Sequence, residues 1–451
     1  MTTTPDAAVP EITLDPYGSD HHGEAARLRA LGPVVRVRLP GDVRAWAVTR
    51  HDLLAELVAD PRMSKDWRNW NAIRRGEIED GWPLIGMVKV TNMVTADGQE
   101  HRRLRKLVMQ TFTPRRVAEL RPRVEAIVAE LLDELPSHAD ADGVVDLRRH
   151  YANPVPMRVI CELFGVPGHE QPRLKELMDN IFRSDLGPEE VTASQVEQYQ
   201  LLARVVAARR AEPGPDLTSA LIAAREADPE ALSEEELVGT LLLMLSAGQE
   251  TTLSLVTNAV RALLTHPDQR ALAEAGGEEV WEAVVEETLR WDAPIGNFPF
   301  RYPLEDVEIA GVPIGRGEAI MAPYSAVGRD RAQHGEDADR FDLTREQNRH
   351  LAFSHGPHFC LGAPLARLEA ALAIPAVFAR YPGLSLAVDP ATLTPVPSMF
   401  SNSSATLPVR PPQPPGPPPL PPPPGPPGAP GSEPEERDIS LLGALRSFCD
   451  L

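Results

Sequence analysis

The stretch FSHGPHFCLG, residues 353–362, sets Cys360, one of the chain's three cysteines, among two glycines and two histidines. A buried structural thiol behaves as a small hydrophobe and needs no such frame. A cysteine that has to point at something needs a loop of defined shape. The residues that follow, LGAPLARLEAALAIPAVFARY, are rich in Ala and Leu and carry Pro364 near the expected first turn. A helix therefore starts just after the cysteine. Unpaired N–H donors and the partial positive charge of a helix N-terminus favour thiolate over thiol, and Gly356 and Gly362 let the backbone turn sharply and approach closely. On these residues alone three uses compete: nucleophile, redox sensor or metal ligand. A nucleophile would want His355 or His358 as its base, but both belong to the same loop, where positioning a base against its own chain is awkward.

The rest of the chain narrows the field. Its 451 residues have enough apolar content for a sizeable core, and a net charge of −20 argues against general nucleic-acid binding. The opening MTTTPDAAVPEITLDPYG has no basic region followed by an apolar run, so it does not read as a secretory signal. The longest apolar run, LVGTLLLMLSAG (237–248), is too short to span a bilayer and reads as a buried helix. Cys161, Cys360 and Cys449 lie far apart, which disfavours a disulfide framework or a structural zinc site. The expectation is a soluble protein of the cytoplasm, without nucleic-acid or membrane partners.

Residues 1–410 read as one globular unit, mainly α with a small β portion. Strand-like runs occur at PVVRVRLP (33–40) and RAWAVTR (44–50), and a short strand pair is expected within VEIAGVPIGRGEAIMAP (307–323), with GVPIGRG supplying the turn. From about residue 100 helical periodicity dominates, as in RPRVEAIVAELLDEL (121–135). At 411 the composition breaks: 14 of the next 20 residues are proline, predicting a polyproline linker over 411–432. In the tail 433–451, Ile439, Leu442, Leu445 and Phe448 recur three apart behind Asp438, as a short amphipathic helix would require.

Phe353, Gly356, His358, Cys360 and Gly362 match F-x-x-G-x-[HR]-x-C-x-G, which resembles the haem-ligand loop of the cytochrome P450 family. Other parts of the family pattern follow in order. Glu287 and Arg290 in ETLR resemble its E-x-x-R element, and Arg340 in DADRFD stands where the family supplies a third member. Ser233 and Glu236 form a capping box at the head of a helical pattern that runs to Thr265, ~50 Å at about 1.5 Å per residue. Inside it AGQETT (247–252) places a glycine, a carboxylate and two threonines where an apolar helix should have none. That violation resembles the family's oxygen-binding groove, with Ala247 and Gly248 opening the helix beside the haem and Glu250 and Thr251 as an acid–alcohol pair. His101 and Arg105 share a helix face and, with Arg301 and His358, fit the places that hold the haem propionates.

The resemblance implies a triangular, helix-rich fold with haem b (iron protoporphyrin IX) between the long helix and the cysteine loop, and Cys360 as the iron ligand. It implies a soluble actinomycete-type monooxygenase that inserts one atom of O2 into a C–H bond. No flavin- or ferredoxin-like segment is fused, so electrons are expected from a separate ferredoxin and ferredoxin reductase. Arg102, Arg103, Lys106, Arg115 and Arg116 form a basic cluster that would steer an acidic donor to the cysteine side. The expected pocket draws on Trp82, Leu84, Ile85, Met87, Val88 and Met93 of one loop. Leu243, Met244 and Ala247 of the long helix join them, with Ile295, Asn297 and Phe298 further on, and Met399 and Phe400 near residue 400. Few of these are charged, so a mid-sized apolar substrate, steroid-, macrolide- or polyketide-like, is expected. Peroxide-driven or oxidative-coupling chemistry on the same fold is the alternative, and a non-catalytic haem protein acting through its tail a weaker one.

Overall fold

The computed structural model describes residues 9–228 and 232–411. The tail 433–451, and all of the expected linker except Pro411, lie outside the described residues.

The organising element is the helix Glu234–Thr265. It begins as its sequence requires: Ser233 Oγ accepts from the Glu236 N–H (3.1 Å), and Glu236 Oε2 accepts from the Ser233 N–H (2.7 Å). Helices Pro154–Leu163, Gln171–Phe182, Pro188–Ala211, Glu278–Trp291 and Ala363–Arg380 all pack against it. Their apolar faces merge with that of Arg121–Glu134 into the largest core cluster. At Gly248 the approach is close, because a Cβ there would lie 2.8 Å from Ile160 Cδ1 in Pro154–Leu163.

The main sheet has the strand order Glu11–Thr13, Val34–Leu39, Val43–Val48, Ile320–Ala322, Phe298–Pro303, Met63–Ser64. Its hairpin pairs the two runs that the sequence marks as strands, with Val34 opposite Val48 and Leu39 opposite Val43. The hairpin at 307–314 turns on Ala310 (φ 49°) and Gly311 (φ 80°). GVPIGRG thus supplies Gly311 to the turn and Ala310 before it supplies the rest, because two consecutive left-handed residues close a tight hairpin and leave Val312–Ile314 free to pair. Among the described residues no helix is long and apolar enough to cross a membrane.

Candidate active site

The cysteine loop is folded by its own backbone. The Cys360 N–H donates to Phe353 O (2.9 Å) and the Phe359 N–H to Gly356 O (3.0 Å), and helix Ala363–Arg380 follows directly. Gly356 has φ 71°, and a Cβ on it would sit 2.9 Å from Ala59 Cα in helix His51–Ala59, so shape and packing both demand glycine. Cys360 is exposed by surface area yet closely surrounded by protein. A side chain with both properties lines a recess. Burial pushes its thiol above the ordinary value, outweighing the N–H groups of Gly362 and Ala363 and the charges of Arg105 and Arg367. The helix end alone therefore does not make a thiolate, contrary to the sequence expectation, because desolvation wins. A thiol held protonated serves poorly as a nucleophile or sensor, but a coordinated metal deprotonates it outright. Among the described residues no group of three His, Cys, Asp or Glu side chains could hold a bare metal ion. A single cysteine suits a metal that brings its other ligands with it, as haem iron does.

Beside the loop lies an excess of cations. Lys65 and Arg301 are both buried (4% and 6% exposed), and burial disfavours the charged form of each; Arg301 adds to the effect on Lys65, while Asp97 opposes it in both. Lys65 Nζ donates to Pro299 O (2.8 Å), and Arg105 Nη2 donates to Phe359 O (2.8 Å). The rings of His101 and His358 lie 4.2 Å apart, and the buried Nε2 of His101 has no partner. Their carboxylate neighbour is Asp97, 3.9 Å from His358 Nε2 and bonded by the Ser64 hydroxyl and the Lys65 N–H. Burial opposes its ionisation, yet His358, Ser64 and those backbone donors hold Asp97 down to about 2. Two buried cations and an orphaned imidazole nitrogen against one carboxylate call for further anions, and the two propionates of a haem are such a pair. Sequence reasoning missed Lys65 and Asp97. Asp97 carried a signal, as the N-cap residue before Gly98–Thr111; Lys65 carried none.

Leu243, Ala247 and Thr251 recur every fourth residue on the long helix and share one face. Ala247 is exposed in the middle of an otherwise buried helix, and Leu243 and Thr251 are half-buried, so this face lines open space. Gly248 differs from its expected role: its missing Cβ accommodates Ile160 rather than opening the groove. Thr251 Oγ1 donates to Ala247 O (2.6 Å). Glu250 points elsewhere, 3% exposed, with Oε1 accepting from Ser401 Oγ (2.7 Å), Ser254 Oγ (3.2 Å) and Arg148 Nη2 (3.4 Å). Burial pushes its carboxyl up, while Arg148 pulls it down. Adjacent helix positions point about 100° apart, which separates the acid from the alcohol.

Glu287 and Arg290 are fully buried and joined by two bonds, 2.7 and 2.6 Å. Arg340 is corrected as their third member. Its side chain is exposed and only its carbonyl accepts from Arg290 (2.7 Å), whereas Arg345 Nε reaches Glu287 Oε1 at 3.3 Å. In the basic cluster, Arg102, Lys106, Arg115 and Arg116 are exposed. Arg103 is turned inward to Glu236 in the first turn of the long helix, which removes it from the docking face. Arg115 pairs with Glu119 at 3.0 Å.

Of the expected pocket, Trp82, Leu84, Ile85, Val88, Met399 and Phe400 form one apolar cluster with Met87 at its edge. Ile295 and Asn297 are strapped alongside through Gly296 N–H to Phe400 O (2.7 Å) and Asn297 Nδ2 to Met399 O (2.9 Å). Met93, Leu243 and Met244 belong instead to the main cluster. Phe298 is claimed from both sides, by the Lys65 ammonium 4.8 Å from its ring and by stacking on Tyr324.

The family model described as Cytochrome P450 matches residues 75–185, 189–275 and 279–409. The 2-hydroxy-5-methyl-1-naphthoate 7-hydroxylase of Streptomyces carzinostaticus is 43% identical over 399 residues, covering 88% of this chain and 96% of that protein. The vitamin D(3) 25-hydroxylase of Pseudonocardia autotrophica is 41% identical over 372 residues, covering 82% and 89%. The solved structure of CYP154C4 from Streptomyces sp. W2061 superposes with a TM-score of 0.84 at 46% identity, covering 89% of this chain and 97% of that one.

Proposed function

This chain belongs to the cytochrome P450 family, and from that premise we propose a ferredoxin-dependent hydroxylase of a mid-sized apolar substrate, steroid- or polyketide-like, with haem b on Cys360. The enzyme is a P450 monooxygenase: it takes a small-molecule substrate and O2 and needs a redox partner. Haem bound through a cysteine sulfur supplies the activation of O2, because thiolate donation favours O–O cleavage.

The protein's part is derived from its own side chains. Cys360 would hold the iron as its thiolate, and Lys65, Arg301, His101, His358 and Arg105 would receive the cofactor's carboxylates. Ala247 leaves room on the helix face for a small diatomic, and Thr251 Oγ, bonded to Ala247 O, holds a hydroxyl proton at that opening. Glu250, kept from ionising easily by burial, stores a proton one residue away. Leu84, Ile85, Val88, Met399 and Phe400 pack into one apolar cluster that excludes water. That near-absence of polar groups supports an apolar substrate, as does the vitamin D3 named for one relative; the naphthoate named for the other shares the ring bulk but carries a carboxylate. The exposed Arg102, Lys106, Arg115 and Arg116 support an acidic electron donor such as a ferredoxin.

The observation that carries the reading is Cys360, a recessed cysteine held by its own loop at the head of helix Ala363–Arg380, beside buried basic groups. The test is the carbon monoxide difference spectrum of the reduced protein, with Cys360→Ser as control. The expected result is the thiolate-type Soret band in the parent and its loss in the variant. A band unchanged by the substitution overturns the reading. Turnover supported by NAD(P)H with a ferredoxin and its reductase, and not by hydrogen peroxide alone, is expected for the proposed electron source.

A further inference from the structure

We propose that Ser401 is the positioning residue for the Glu250 carboxyl, tying the stored proton to the strap that carries Met399 and Phe400. Glu250 is anchored through one oxygen: Ser401, Ser254 and Arg148 all reach Oε1. Oε2 has no hydrogen-bond partner among the described residues. A carboxyl held at one oxygen and free at the other keeps its place while its second oxygen takes up or gives up a proton. Ser401 makes the shortest of the three contacts and comes from another part of the chain, 151 positions away.

The strap holding Ser401 is itself fixed on several sides. Ser398 Oγ receives the N–H groups of Phe400 (3.1 Å) and Ser401 (2.9 Å). His21 Nε2 lies 3.0 Å from the carbonyls of both Ser398 and Ser401. The Asn402 N–H donates to Pro294 O (2.8 Å), and Met399 N–H to Ser184 Oγ (2.9 Å). Between Ser398 and Ser401 stand Met399 and Phe400, 0% and 1% exposed. A buried hydroxyl beside two large apolar residues needs a partner, and the Ser401 hydroxyl has Glu250. Its oxygen cannot shift without shifting them.

The charged groups facing Glu250 are Arg148, from the turn Arg148–Ala152, and Asp179, from helix Gln171–Phe182. Neither belongs to the strap, so the Ser401 contribution is separable from theirs. The inference rests on the reading of Glu250 as the proton store. A Glu250→Gln enzyme with undiminished turnover would overturn that reading without bearing on Ser401.

The test is infrared spectroscopy of the haem-loaded, substrate-free protein titrated with acid and base, following the protonated-carboxyl band that Glu250→Gln removes. Ser401 donates to the ionised carboxylate, so Ser401→Ala should move the midpoint up by about one pH unit. Ser401→Thr, which keeps the hydroxyl, should restore it, and Ser254→Ala should move it less. Should Ser401→Ala fold poorly, Ser401→Cys, near in size and a weak donor, is read instead with the same expected direction. A midpoint unmoved in these variants, or moved equally by Ser401→Thr, overturns the proposal.

Discussion

Arg345, rather than Arg340, should prove the arginine that the buried Glu287–Arg290 pair depends on. The Arg345 side chain is 9% exposed and reaches Glu287 Oε1 (3.3 Å), Asp337 Oδ1 (3.1 Å) and His334 O (3.2 Å). In Arg345→Ala, Glu287 keeps both bonds from Arg290, the N–H of Asp342 (2.8 Å) and Asn348 Nδ2 (3.1 Å). Glu287 thus loses one charge-assisted contact in a dry setting, about 2 kcal/mol, and not the ~3–5 kcal/mol of a broken buried pair; the contacts to Asp337 and His334 go with it and add to that cost. Arg290→Ala does break the pair, and it also strips donors from the carbonyls of Gly328, Ala338 and Arg340, so it should cost at least the larger figure. Arg340 gives only its carbonyl, which alanine retains, so Arg340→Ala should fall within about 0.5 kcal/mol of the parent. Urea unfolding of the haem-loaded protein, followed by far-UV circular dichroism, gives the three values through their midpoints. An Arg340→Ala cost equal to that of Arg345→Ala would refute the assignment.

The same structure sets three further expectations. Gly356→Ala forces a side chain into φ 71° and onto Ala59, so it should cost roughly 1–3 kcal/mol and weaken haem retention, measured as the Soret absorbance surviving gel filtration. Lys65→Met should act with opposite signs on the two forms: apoprotein at least as stable by urea midpoint, and haem lost to apomyoglobin about 10- to 100-fold faster. Glu369, 1% exposed and bonded to Thr252, is pushed by burial up to about 8. Its folded-state value lies above the unfolded one, so the native state binds the extra proton and stability falls as pH rises from about 4.5 to about 8. Glu369→Gln, which stays neutral, should therefore match the parent at pH near 5 and exceed it by ~1–3 kcal/mol at pH near 9; equal differences at the two pH values would sink the argument.

What was legible in the sequence had its causes close together along the chain. The cysteine loop is such a case, since hydrogen bonds within ten residues shape it, and so is the long helix, whose start is written in Ser233 and Glu236. Arg340 and Arg345 stand five apart in one irregular segment, and which of them turns back is decided by Asp337 and Glu287 in space. No local pattern encodes that. Lys65 is the extreme instance: its acceptor Pro299 lies 234 positions away, and its burial follows from sheet pairing of Met63–Ser64 with Tyr302–Pro303. Glu250 and Thr251 are paired by the resemblance of AGQETT to a family motif, although helix geometry sends them to different partners. Ser401 is invisible to such a reading because a serine in SMFSNSS (398–404) carries no motif.

The contact between Gly248 and Ile160 makes two distant positions behave as one. A Cβ at 248 would meet the end of the Ile160 side chain, Cδ1 at 2.8 Å and Cγ1 at 3.2 Å, so Ile160 has to turn or shorten to admit it. A methyl added at one site has to be answered by a methyl removed at the other. Gly248→Ala should therefore be better tolerated when paired with Ile160→Val than alone. A library that varies the groove residues singly will miss that route, and among natural homologues bulk at the two positions should trade off.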